Sequence, residues 1–124
     1  MTTSQILFYV AIFLVAIVSL RKLLMKRSIP HYDASTVAGK LKANEKIMLL
    51  DVRTAQERGR RHIPGSMHIP VNELAGRLKE LEKFKDKEII CYCQSGNRSL
   101  SAAHTLQRQG FHVANLSGGI YAWI

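Results

Sequence analysis

The chain has 124 residues, enough for one domain of ordinary size, and a formal charge of +9. Arg21, Lys22, Lys26 and Arg27 stand together without an acid, and from residue 28 onward 14 Lys and Arg face nine Asp and Glu. With the excess partly gathered in that cluster, and no interleaving of aromatic and basic side chains, the composition speaks against nucleic acid as a partner.

Residues 2–20, TTSQILFYVAIFLVAIVSL, carry no charge. As a helix rising ~1.5 Å per residue they reach roughly 28 Å, close to the hydrocarbon thickness of a bilayer, about 30 Å. Leu23, Leu24 and Met25 extend the apolar surface while Arg21 and Lys22 snorkel. A cleaved signal peptide carries positive charge before its apolar run and a small-residue site after it. Here the flanks are reversed: MTTSQ has no basic side chain and RKLLMKR follows. The reading is a transmembrane anchor with its basic juxtamembrane segment over residues 1–27 and a soluble domain over 28–124. The positive-inside rule places that domain on the cytoplasmic face of the inner membrane or its equivalent.

In the soluble part, Val37 and Leu41 mark a short helix behind Asp33 or Ser35 as N-cap. KIMLL (46–50) is a continuous apolar run, as expected of a strand covered on both faces. ERGRRH (57–62) reads as a solvated helix end, with attraction to anionic lipid as the alternative. Leu74, Leu78 and Leu81 recur at helical spacing, EIICYC (88–93) is a second strand, and Ser99, Ala102, Ala103 and Leu106 give a helix a small-residue face that can lie close to a sheet. Gly110 is placed to stop that helix, and FHVANL (111–116) is a third, weaker strand. Strand, helix and strand at this spacing predict βαβ units, an α/β domain with a parallel sheet flanked by helices.

The chemistry concentrates where the second strand ends. In open parallel sheets ligands bind beyond the carboxyl ends of the strands. Cys93 ends such a strand, and the next helix starts near Arg98 or Ser99. The loop CQSGNR therefore wraps around a helix N-terminus, where backbone N–H groups lack partners and the dipole is positive. Gly96 and Asn97 accept φ > 0, which lets successive amides converge as an anion-binding nest. Arg98 adds a cation, and the Ser95 and Ser99 hydroxyls are donors within reach. A cysteine there ionises readily and acts as a nucleophile whose covalent product is a terminal anion. Cys91 reads as plain core. Two cysteines one residue apart make no disulfide framework and point to a reducing compartment. A metal site needs two further ligands, and the five histidines show no ligand spacing, so neither metal nor cofactor is expected.

Three stretches together resemble a single-domain rhodanese: LLDVRTAQERGRRHIPGSMHIP (49–70), CYCQSGNRS (91–99) and LSGGIYAW (116–123). The resemblance implies a sulfurtransferase in which Cys93 accepts a sulfane sulfur from thiosulfate or another persulfide. The amides of Gln94, Ser95, Gly96, Asn97, Arg98 and Ser99 would cradle the terminal sulfur, and a thiol, a cyanide-like thiophile or a protein acceptor would remove it. Asp51 and Arg53 would brace the active loop, with a surface ion pair as the bland alternative, and Pro64 and Gly65 would shape a turn. Phosphatases on a similar fold place five residues between cysteine and arginine; here four separate Cys93 from Arg98, a ring better suited to one sulfur atom. Arg61 stands where the family usually has glycine, and the final helix is short, with Tyr121 and Trp123 expected to do its packing. The competing functional class is a non-catalytic rhodanese module serving as a membrane-tethered binding or scaffolding domain. A redox pair of Cys91 and Cys93 would be strained.

Overall fold

The computed structural model describes residues 1–25 and 28–123; Lys26 and Arg27 of the basic cluster, and Ile124, lie outside the described residues. The apolar N-terminal run forms α1 (Thr3–Met25), a little longer than the expected 2–20. Within Thr3–Leu23 the most apolar 18 residues have a mean hydropathy of 2.2, and none of them is buried. By length and composition alone α1 is able to cross a membrane.

The soluble domain runs β1 (His31–Tyr32), α2 (Ala34–Lys42), β2 (Ile47–Asp51), α3 (Ala55–Arg60), β3 (Met67–His68), two 3₁₀ turns (Leu74–Gly76 and Leu78–Phe84), β4 (Glu88–Tyr92), α4 (Asn97–Arg108), β5 (His112–Leu116) and α5 (Gly119–Ala122). All strand pairings are parallel, in the order β1-β5-β4-β2-β3. The three predicted strands are the central ones. The two-residue edge strands β1 and β3 carry too few residues to show a period, and their pairing is decided by the neighbour they dock on.

Alternation along the strands sends side chains to two cores. Met48, Leu50, Ile89, Cys91 and Val113 meet Ala102, Ala103 and Leu106 of α4, together with Leu74 and Leu81. Leu49, Ile90, Tyr92, Ala114 and Leu116 meet Val37 of α2, Ile63 and Ile120. The small residues of α4 let it lie close on the sheet, as the sequence suggests. Of the two N-cap candidates Asp33 is the one used, accepting from the Thr36 amide at 2.8 Å, and Leu41 is exposed rather than packed. The helix expected through Leu74, Leu78 and Leu81 is instead two 3₁₀ turns. Leu78, Leu81 and Phe84 recur every third residue, the period of a 3₁₀ helix, and all three face the first core.

The chain runs outward from β2 to β3 and then returns across β2 to β4. That reversal opens a crevice beyond the carboxyl ends of β2 and β4. Asp51 and Arg53 leave one of these strands and Cys93 the other, so the topology alone brings two separated motifs together.

Candidate active site

Cys93 follows the last residue of β4 and is 1% exposed. The loop turns at Gly96, whose φ of +114° only glycine adopts easily, and α4 begins directly afterwards at Asn97. Asn97 is therefore helical, and the left-handed turn falls on Gly96 alone among the two candidates. The Gly96 N–H donates to Cys93 Sγ at 3.0 Å, and Ser99 Oγ lies 3.3 Å from the same sulfur. Burial pushes the thiol up, but hydrogen bonds from the Ser99 side chain and from the amides of Ser99, Gly96 and Ser95 outweigh it, and its pKa falls below the ordinary thiol value. The Ser99 hydroxyl has a single hydrogen and three acceptors in range: Sγ, the Gly96 carbonyl at 3.0 Å and Asn115 Oδ1 at 2.5 Å. The backbone amides, which have no such competition, are the firmer part of the field.

Cys91 behaves oppositely. It is fully buried with no compensating donor and is pushed up to about 12. The two thiols are both buried in the first core and are separated by chemistry: burial raises Cys91, while the donors around Cys93 favour its ionised form.

Asp51 and Arg53, expected to brace the loop or else to form a surface pair, are a buried pair, 0% and 2% exposed. Arg53 Nε and Nη2 donate to the two carboxylate oxygens of Asp51, each at 3.0 Å. Burial works against the Asp51 carboxylate, yet Arg53, with Tyr92 donating at 3.1 Å, holds its pKa below the usual range. Arg53 Nη1 then reaches Gln94 Oε1 at 3.3 Å, and Gln94 Nε2 donates to the Tyr121 hydroxyl at 3.1 Å. The active loop is held from β2 on one side and from the C-terminal segment on the other.

The Arg98 cation is paired as well as close enough for its charge to act on Cys93: its Nη1 and Nη2 donate to the two oxygens of Glu57, each at 2.7 Å. Glu57 closes a capping box with Thr54 at the start of α3, so this pair ties the loop to that helix. The basic run 57–62 is not simply solvated. Arg58 donates to Asp51 at 3.3 Å and to the hydroxyl and carbonyl of Ser66 at 3.0 and 2.7 Å, while Arg61 donates to the Trp123 carbonyl. Of the two aromatics expected to pack the final helix, Trp123 joins the second core, but Tyr121 is 71% exposed and serves Gln94 instead.

Several contributors escaped the sequence reading. Asn115, buried in β5, orients the Ser99 hydroxyl and shares a contact with His31 at 3.2 Å. Its signal was an amide inside the apolar run FHVANL. Glu57 was readable as the fourth residue of Thr54-x-x-Glu57. Tyr92 and Arg58, which meet on Asp51, and Ser66, which bonds both of them, give no signal, because their convergence is purely tertiary.

These features define a rhodanese-like fold, and the chain belongs to the rhodanese-like domain family, whose sequence model matches residues 33–124. Among curated proteins, a sulfurtransferase of Allochromatium vinosum is 36% identical over 92 residues, covering 73% of this chain and 84% of that one. YrkF of Bacillus subtilis is 39% identical over 97 residues, 77% of this chain, and this chain spans only about half of it, 51%. Among solved structures, a rhodanese-related protein from Thermoplasma volcanium superposes with a TM-score of 0.69 at 32% identity, covering 76% of this chain and 89% of the other.

Proposed function

We propose that this protein is a rhodanese-type sulfurtransferase that carries a sulfane sulfur on Cys93. The observation that supports this most directly is a buried sulfur at the end of β4 facing the amides of its own loop, with a depressed thiol pKa despite burial. Membership of the family and the sulfurtransferase among its relatives agree with it.

The chemistry follows from the geometry. The Cys93 thiolate attacks the outer sulfur of thiosulfate; the new S–S bond forms as the donor's S–S bond breaks, and sulfite leaves with the electron pair. The product, Cys93–S–S⁻, keeps its negative charge beside the donors that stabilised the thiolate. An acceptor thiolate then attacks the terminal sulfur, takes it as a new persulfide and restores the Cys93 thiolate. The two half-reactions make a ping-pong cycle. An anionic donor suits the surroundings: the guanidinium groups of Arg53 and Arg58 share the single carboxylate of Asp51, Arg98 pairs with Glu57, and the Arg61 guanidinium bonds the neutral carbonyl of Trp123. A persulfide donor fits the same attack. The apolar α1 supports anchoring this domain to a membrane, and the basic residues after position 20 support a cytoplasmic face.

The test is the intact mass of the purified protein after exposure to thiosulfate, in wild type and in Cys93→Ser. Wild type gains one sulfur atom, reversed by a thiol, and Cys93→Ser gains none. Failure of wild type to gain sulfur from thiosulfate and from a persulfide donor would leave the scaffolding reading in its place.

A further inference from the structure

The peptide planes that aim the loop's amides at Sγ are fastened from outside the loop. The Ile120 N–H donates to the Cys93 carbonyl at 2.9 Å and the Tyr121 N–H to the Gln94 carbonyl at 3.3 Å. In a trans peptide the carbonyl and the following N–H point in opposite directions. Turning the Gln94 carbonyl towards Tyr121 therefore turns the Ser95 N–H away from Tyr121, and that N–H is one of the donors serving Sγ.

This approach depends on a pair of glycines. Gly118 and Gly119 both lie at left-handed φ, +78° and +58°. A Cβ on Gly119 would stand 2.5 Å from the carbonyl oxygens of both Cys93 and Gln94, a separation that backbone atoms do not accommodate. Ile120, buried in the second core, fixes the segment on its far side. The exposed Tyr121 adds its hydroxyl as acceptor for Gln94 Nε2.

We propose that Gly118–Tyr121 is a clamp that keeps the sulfur-binding loop turned inward, with Gly119 and the Tyr121 amide as positioning residues for the sulfur step. The inference rests on Cys93 being the reacting thiol. By holding the Cys93 and Gln94 carbonyls outward, the segment denies the loop the alternative in which a carbonyl dipole faces the sulfur anion. None of its atoms touches the transferred sulfur; it acts through the loop.

The test titrates Cys93 in the full-length protein in detergent, reading alkylation by iodoacetamide against pH and assigning the modified peptide by mass. Tyr121→Phe and Tyr121→Pro both lose the hydroxyl, and only the proline variant loses the amide, so the difference between them belongs to the clamp. The expected midpoint for Tyr121→Pro lies about one unit above that of Tyr121→Phe, about a tenfold lower thiolate fraction at any pH below both midpoints. Gly119→Ala shifts the same way, with near-UV circular dichroism confirming a folded domain; if it does not fold, the Tyr121 pair decides alone. Coincident midpoints for the two Tyr121 variants would overturn the clamp. An ordinary thiol midpoint in wild type would instead overturn the reading of Cys93, and the clamp with it.

Discussion

Asp51 receives hydrogen bonds from Arg53, Arg58 and Tyr92 in a position without solvent. A buried ion pair contributes little net stability against an apolar pair of the same shape, but removing one partner strands the other charge. Asp51→Asn leaves the guanidinium of Arg53 buried and uncompensated, and its expected loss is about 3–5 kcal/mol in denaturant unfolding. The double variant Asp51→Leu with Arg53→Met removes both charges and loses less. A double variant as unstable as the single would show that the lost partners lie elsewhere in the network. The same pair connects to function, because Arg53 is also the group that holds Gln94.

Among the helices, α3 owes its place to one side chain used twice. Glu57 completes the capping box with Thr54 and pairs with Arg98 at the start of α4. The Arg98 bond, against a modest opposing effect of burial, holds the Glu57 carboxyl at about 2, well below its ordinary 4.5. A depressed carboxylate stabilises the fold fully above its unfolded value and loses that contribution as pH falls towards its folded one. The stability difference between wild type and Glu57→Gln is therefore constant above about pH 4.5 and shrinks between there and about pH 2. Chemical denaturation at several pH values measures it; a difference independent of pH throughout that window would refute the assignment. Thr54→Ala weakens the same junction from the helix side, by about 1 kcal/mol.

The whole molecule combines an apolar helix with a domain that has its own two cores. No residue of the most apolar 18 residues of α1 is buried, so among the described residues α1 has no folded partner for its apolar surface. Burial in a bilayer is the reading proposed above, with the sulfurtransferase domain on the inner side. In right-side-out vesicles the domain is then protected from added protease and becomes digestible when the membrane is opened with detergent. Ready digestion in sealed vesicles would place it outside. The short stretch from Met25 to β1 keeps the domain close to the helix end, within roughly 20 Å of extended chain at ~3.4 Å per residue.

The sequence by itself determined whatever is written in local periodicity or in contiguous residues. The continuous apolar runs specify β2, β4 and β5, Gly96 specifies the left-handed turn after Cys93, and the Ala102, Ala103 and Leu106 face specifies how α4 lies on the sheet. Those features depend on backbone geometry and side-chain spacing, which neighbours in the chain fix between themselves. Tertiary structure alone decided the partners. Arg98 met Glu57, Arg58 met Asp51, Asn115 met Ser99, and the C-terminal amides met the loop carbonyls. Each of these joins groups from separate elements, and hydrogen bonds at such separations follow from the order in which strands cross the sheet.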